Sequence, residues 1–232
     1  MTRIINIFTV FCTAMVLMIP VAHAQHSTFV GTIVFDVKAE GNLPDLAKTM
    51  MPTTLTYRTS VAKQSMALNF PIAEQKTIFD PATKSAKILM NVLGQKIVIN
   101  QTSADLDQLR KQEGETIGVK ETSETKTIAG YLCKKTVITR KTKDGTENNA
   151  DIYFTEAIDA SSFNVFNAFP EIKGFPLEFS MKSGPMEFKV TAHTITKEKI
   201  PASEFEVSAD YKVMTVADIQ KLFGGAGSLL GN

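Results

Sequence analysis

The sequence predicts an α+β, mainly β domain built on an antiparallel sheet, and three observations carry that prediction. Five strand-like segments fall between Thr54 and Thr102, joined by loops too short for crossover helices. The segment Thr28–Lys38 is rich in β-branched and aromatic residues and apolar on both faces. That pattern suits a strand covered on both sides, or a sheet curved around an interior. Hydrophobic residues make up 44% of the chain, enough for a substantial core and too many for a disordered one.

Taken in order, the elements begin with an expected secretory leader over residues 1–24. Arg3 supplies its positive start, Ile4 to Val21 its apolar run, and Ala22-His23-Ala24 a small-x-small cleavage pattern. Pro20 near the end of the run, with no basic stop-transfer cluster after it, argues against a membrane anchor. No later segment is long and apolar enough to span a bilayer. The working chain is therefore expected to start at Gln25, in the periplasm or outside the cell. It reads as one domain over residues 25–223 with a Gly-rich tail at 224–232.

In Thr28–Lys38, the residues Phe29, Gly31, Ile33, Phe35 and Val37 share one face. Leu43–Met51 reads as a short helix: Pro44 suits its first turn, Leu43, Leu46, Ala47 and Met50 form a stripe, and Pro52 stops it. Strands are expected at Thr54–Ser60, Gln64–Asn69, Lys76–Asp80, Ser85–Asn91 and Gln95–Thr102. Ser103–Gln112 is the best-signalled helix, with Ser103 as its cap and acids at its positive end. Further strands are expected at Thr116–Glu121, Lys126–Ala129, Leu132–Arg140 and Asp151–Glu156. A third helix, Ser161–Phe169, sets Phe163, Phe166 and Phe169 at three-residue spacing. A hairpin of Leu177–Met181 and Glu187–Thr196 follows, and Thr215 with Asp218 resembles a capping box opening a last helix.

Composition excludes more chemistry than it offers. Losing the leader removes Arg3 and no acid, which brings 25 basic residues against 24 acidic ones to balance. A chain of no net charge has no electrostatic reason to seek nucleic acid. Only Cys133 survives cleavage, so no internal disulfide is available and the domain must hold by burial alone. Only His26 and His193 remain, too few for a histidine metal site. A nucleophilic site would need Cys133 and His193 brought together by folding. A carboxylate pair for sugar hydrolysis is poorly served by a chain without Trp. No enzyme activity, metal or cofactor is therefore expected.

The positive signal is the kind of apolar residue. After the leader the chain keeps thirteen Phe and seven Met, a mixture suited to a pliable apolar interior. The helices at Leu43–Met51 and Phe163–Phe169 carry bulky apolar faces yet interrupt a long meander, as lids across a curved sheet do.

Ile128-Ala129-Gly130-Tyr131-Leu132-Cys133-Lys134-Lys135 resembles a recurring strand entry in a family of secreted bacterial envelope proteins of unknown function, itself similar to the outer-membrane lipoprotein carriers. Gly174-Phe175-Pro176-Leu177-Glu178, Phe205-Glu206-Val207, Tyr211-Lys212-Val213-Met214-Thr215 and Phe29-Val30-Gly31-Thr32-Ile33 fit the same pattern. The resemblance implies a half-open antiparallel barrel with short helices on its concave side, enclosing an apolar cavity. The expected function is an exported, non-enzymatic protein binding a lipid or acyl ligand, with Met50, Met51, Phe163, Phe166 and Phe169 as cavity lining or lid. The alternatives are an envelope protein–protein interaction module with a solid core, and a hydrolase using Cys133.

Overall fold

The segment that reads as apolar on both faces sits near the middle of a twelve-stranded sheet. The computed structural model describes residues 28–41, 49–112, 115–142, 145–159, 169, 171–183, 186–215 and 218. The expected leader, the tail and most of the helices expected at Leu43–Met51 and Ser161–Phe169 lie outside these residues. The strands are β1 (Gly31–Glu40), β2 (Thr54–Thr59), β3 (Gln64–Phe70), β4 (Ala73–Asp80), β5 (Ser85–Val92) and β6 (Gln95–Gln101). After helix α1 (Ser103–Gln112) come β7 (Glu115–Ile128), β8 (Tyr131–Lys141), β9 (Glu147–Thr155), β10 (Phe175–Ser183), β11 (Met186–Lys197) and β12 (Lys212–Val213). Their spatial order is β12-β6-β5-β4-β3-β2-β1-β11-β10-β9-β8-β7.

Two meanders therefore meet at the centre, where β1 pairs antiparallel with both β2 and β11. Only β12 runs parallel to its neighbour, setting Lys212 and Val213 beside Ile97 and Val98. The sheet is strongly curved at the β7 end. Cα atoms of β7 come within 8 Å of β11, although β8, β9 and β10 stand between them; four spacings of a flat sheet would be about 19 Å. Among the described residues the two edges, β12 and β7, do not pair, so the barrel stays half open.

Several elements differ from their expected form. The strands expected at Thr116–Glu121 and Lys126–Ala129 are one strand, β7, whose pairing with β8 shifts register between Glu121 and Thr125. That interruption is a bulge, which bends the strand and increases its twist. Helix α1 is capped by Thr102 rather than Ser103: Asp105 N–H donates to Thr102 Oγ1, and Thr102 N–H donates to Asp105 Oδ2 at 2.8 Å. Thr102 and Asp105 thus form a capping box, one residue before the expected cap.

Tight turns account for the short loops. Leu93-Gly94 and Ala129-Gly130 both take positive φ at the two central positions (50° and 84°, 47° and 85°), the geometry of type I′ hairpins. Gly31 is required for another reason: a Cβ there would lie 2.0 Å from the carbonyl oxygen of Thr196 on β11.

From β1 to β6 the register runs without a bulge, so face assignments carry across all six strands. The inner face bears Ile33, Phe35, Leu55 and Tyr57, all buried. With Phe175, Leu177, Phe179, Val190 and Phe169 they form the main core. Phe179 contacts both Phe35 and Phe169 edge-on, at centroid distances of 6.1 and 5.4 Å. Each such ring is worth about 1.5–3 kcal/mol of burial.

The outer face of β2–β6 is covered by a strap, residues 198–211, which carries no periodic apolar pattern. It leaves β11, runs through a 3₁₀ turn at Ala202–Phe205, and leads into β12. Phe205 and Ile200 pack on Ile78, Leu89 and Val98. Glu204 lies 2.8 Å from Lys76 Nζ and 3.5 Å from Arg58 Nη1, and accepts a hydrogen bond from Ser65 Oγ at 3.0 Å. Burial pushes the Glu204 carboxyl upward, but these cations outweigh it and hold the group below the ordinary carboxylate range.

Candidate functional site

The inner face changes character between β2 and β6. Two rows of cross-strand neighbours can be followed across it: Ile33, Tyr57, Met66, Thr77, Ile88, Ile99, and Phe35, Leu55, Leu68, Gln75, Met90, Ile97. At one end both rows are buried in the main core. At the other, Ile97 and Ile99 close with Met214 into a small separate cluster, against which Ile88 and Met90 pack. Between the clusters, Met66, Leu68, Thr77, Gln75, Ile88 and Met90 are all half-buried. The polar pair on β4 keeps the two apolar clusters apart. This strip is a half-covered apolar floor in which methionines supply adaptable contact surface.

The residues expected from sequence to line a cavity are distributed as follows. Met51 is half-buried and packs against the main core. Met50, next to it, is 37% exposed. Phe169 is 4% exposed, locked against Phe179 in the core, with the Arg140 guanidinium 5.6 Å from its ring centroid. Phe163 and Phe166 lie outside the described residues. Met66 and Met90 stand out in the sequence only as members of a methionine-rich set; their shared face follows from the register of β3, β4 and β5.

A second feature carries no sequence signal. At the curled end a cleft of about 360 Å³ is lined mainly by polar side chains, among them Lys126, Tyr153, Glu178 and Lys189. Lys126 Nζ lies 3.6 Å from the Tyr153 ring centroid and 2.7 Å from Glu178 Oε1, while Lys189 stands 3.2 Å from the same oxygen. Thr191 Oγ1 donates to the other Glu178 oxygen at 3.2 Å. Burial raises the Glu178 carboxyl, yet the two lysines prevail and hold it low. Tyr153 donates its hydroxyl to Glu124, which pushes the phenol up and the carboxyl down. Lys135 ties Glu124 to Asp151 at 3.3 and 2.7 Å. Met50, Met51 and Phe169 do not border this cleft.

Cys133 is 0% exposed on β8; burial pushes its thiol up to about 11, and its Sγ donates to the carbonyl oxygen of Tyr131 at 3.5 Å. His193 is exposed on β11 and lies 3.1 Å from Asp36. The described contacts give the two residues different partners, Asp36 for His193 and the Tyr131 carbonyl for Cys133. Among the described residues, no three His, Cys, Asp or Glu side chains converge as a metal site. No helix among them is long and apolar enough to cross a membrane.

No family model and no curated protein matches the chain. Among solved structures it is similar to the crystal structure of MucB, at 8% identity and a TM-score of 0.34. The alignment covers 82% of this chain and 62% of that one, less than two thirds of its length. The likeness is distant, and the functional reading does not draw on it.

Proposed function

We propose that the chain is an exported, non-catalytic binding protein that holds an apolar ligand, a lipid or acyl chain, against the inner face of β3–β5. The observation that carries this reading is the half-buried strip of Met66, Leu68, Ile88 and Met90, set between two closed clusters and interrupted by Thr77 and Gln75. A ligand chain laid along the strip would gain about 0.8 kcal/mol for each methylene it buries. Met51, which packs on the main core, and Met50 beside it, with Phe163, Phe166 and Phe169, make up the proposed lining and lid. Export to the periplasm or beyond rests on the leader at residues 1–24. The buried, protonated Cys133 thiol supports a binding role over a thiolate hydrolase.

The polar cleft favours a second reading, an envelope interaction module recognising a protein through its charged surface. Native mass spectrometry and solvent extraction of the purified exported protein separate the two. The first reading expects co-purified lipid and saturable displacement of a fluorescent fatty acid. A protein that carries no lipid and binds no fatty-acid probe leaves the interaction module standing and removes the first reading.

A further inference from the structure

Two hairpin turns at one end of the sheet break the ordinary rule for exposed loops. The β5–β6 turn places Leu93 at its tip, 80% exposed, and the adjacent β3–β4 turn places Ile72 beside it, 50% exposed. The two tips are joined by a backbone hydrogen bond from Leu93 N–H to the carbonyl oxygen of Ile72. Leu93 is also conformationally misplaced: its φ of 50° is a position where a type I′ turn favours Asn or Gly. An apolar, Cβ-bearing residue held there in water serves the turn poorly, and such departures concentrate where function requires them.

The surroundings indicate what the tip meets. Neither Phe70-Pro71-Ile72-Ala73 nor Val92-Leu93-Gly94-Gln95 contains a charge. Of the charges that flank them, Lys96 pairs with Asp210 at 2.6 Å, and Glu74 lies one step inward on β4 as an exposed acid. The apolar character continues inward from Ile72 and Leu93 to the half-buried Phe70 and Val92, then to Leu68 and Met90 on either side of Gln75. A protruding, uncharged apolar apex inserts into a fluid interface, whereas a protein partner would have to offer a pocket for it.

We propose that the paired tips Ile72 and Leu93 form a docking point for the surface of a lipid bilayer, binding through apolar insertion rather than through charge. The proposal stands on the geometry of the tip and does not depend on a ligand occupying the inner face. Its test is co-sedimentation of the purified exported protein with phosphatidylcholine vesicles, repeated with added phosphatidylglycerol and at high salt. The wild type should sediment with the neutral vesicles and be little affected by either change. The double variant Ile72→Ser/Leu93→Asn should lose about tenfold or more in partitioning, the effect of removing two aliphatic side chains from the interface. Asn suits the left-handed position, so the variant should melt no lower than the wild type, which excludes misfolding as the cause. Three results would overturn the proposal: no sedimentation of the wild type with any vesicle, equal partitioning by the double variant, or binding only to anionic vesicles that salt abolishes.

Discussion

The two halves of the sheet bury their inner faces differently. Around β1, β2 and β8–β11 the inner face is closed by aromatic rings, with Phe35, Phe175 and Leu177 essentially inaccessible. On β3–β6 the same face carries half-buried Met66, Leu68, Ile88 and Met90 around Thr77 and Gln75, and the closed packing has moved to the outer face beneath the strap. The strap supplies what the open side lacks. Strands need one buried face, and residues 198–211 provide it from outside, which leaves the inner face of β3–β5 only half-covered. One half thus works as the stabilising core and the other as a surface held in place by its cover.

Substitutions can test that division, in order of expected effect. Phe35→Ala removes a ring from the closed half and should cost about 3–5 kcal/mol, enough to unfold the whole sheet in a thermal melt. Phe205→Ala should cost about 3 kcal/mol, but hydrogen exchange should localise the loss to β3–β6 and the strap, with β8–β11 still protected. Glu204→Ala should cost about 1–3 kcal/mol, because it leaves Lys76, itself mostly covered, without its carboxylate. Leu93→Asn should raise stability by about 0.5 kcal/mol through relief of the left-handed backbone.

Glu204 also gives a pH signature with a defined sign. Its carboxyl is depressed in the folded state, so its contribution is full above the ordinary Glu pKa of about 4.3 and is lost as pH falls through the folded value. Acid titration followed by hydrogen exchange should therefore loosen the strap before the closed core, and Glu204→Gln should flatten that difference. At neutral pH, Cys133 should resist alkylation in the folded protein, since its thiol is buried and held near 11.

What the sequence reveals and what it conceals divide along the same line. The alternation Phe29, Gly31, Ile33, Phe35, Val37 is visible in the chain, and all five are buried as expected. The bounds of α1 are equally legible, because a helix of this kind is written in local capping and charge. The β3–β5 strip is not, because its face is shared only once β3, β4 and β5 are placed in register. The strap's role is not legible, although Phe205-Glu206-Val207 belongs to the family resemblance: Glu204 and Phe205 acquire their roles from Lys76, Ser65 and Ile78, more than a hundred positions away. Likewise the polar run Glu121–Thr125, where the bulge lies, reads as a break between two strands, and the curl and the polar cleft carry no signal in the sequence.

If the inner face of β3–β5 holds the ligand, photo-crosslinking with a diazirine fatty acid, followed by peptide mapping, should label peptides containing Met66, Leu68, Ile88 and Met90, with competition by unlabelled fatty acid. Labelling confined to the cleft around Tyr153 and Glu178, or no competable labelling at all, would contradict it.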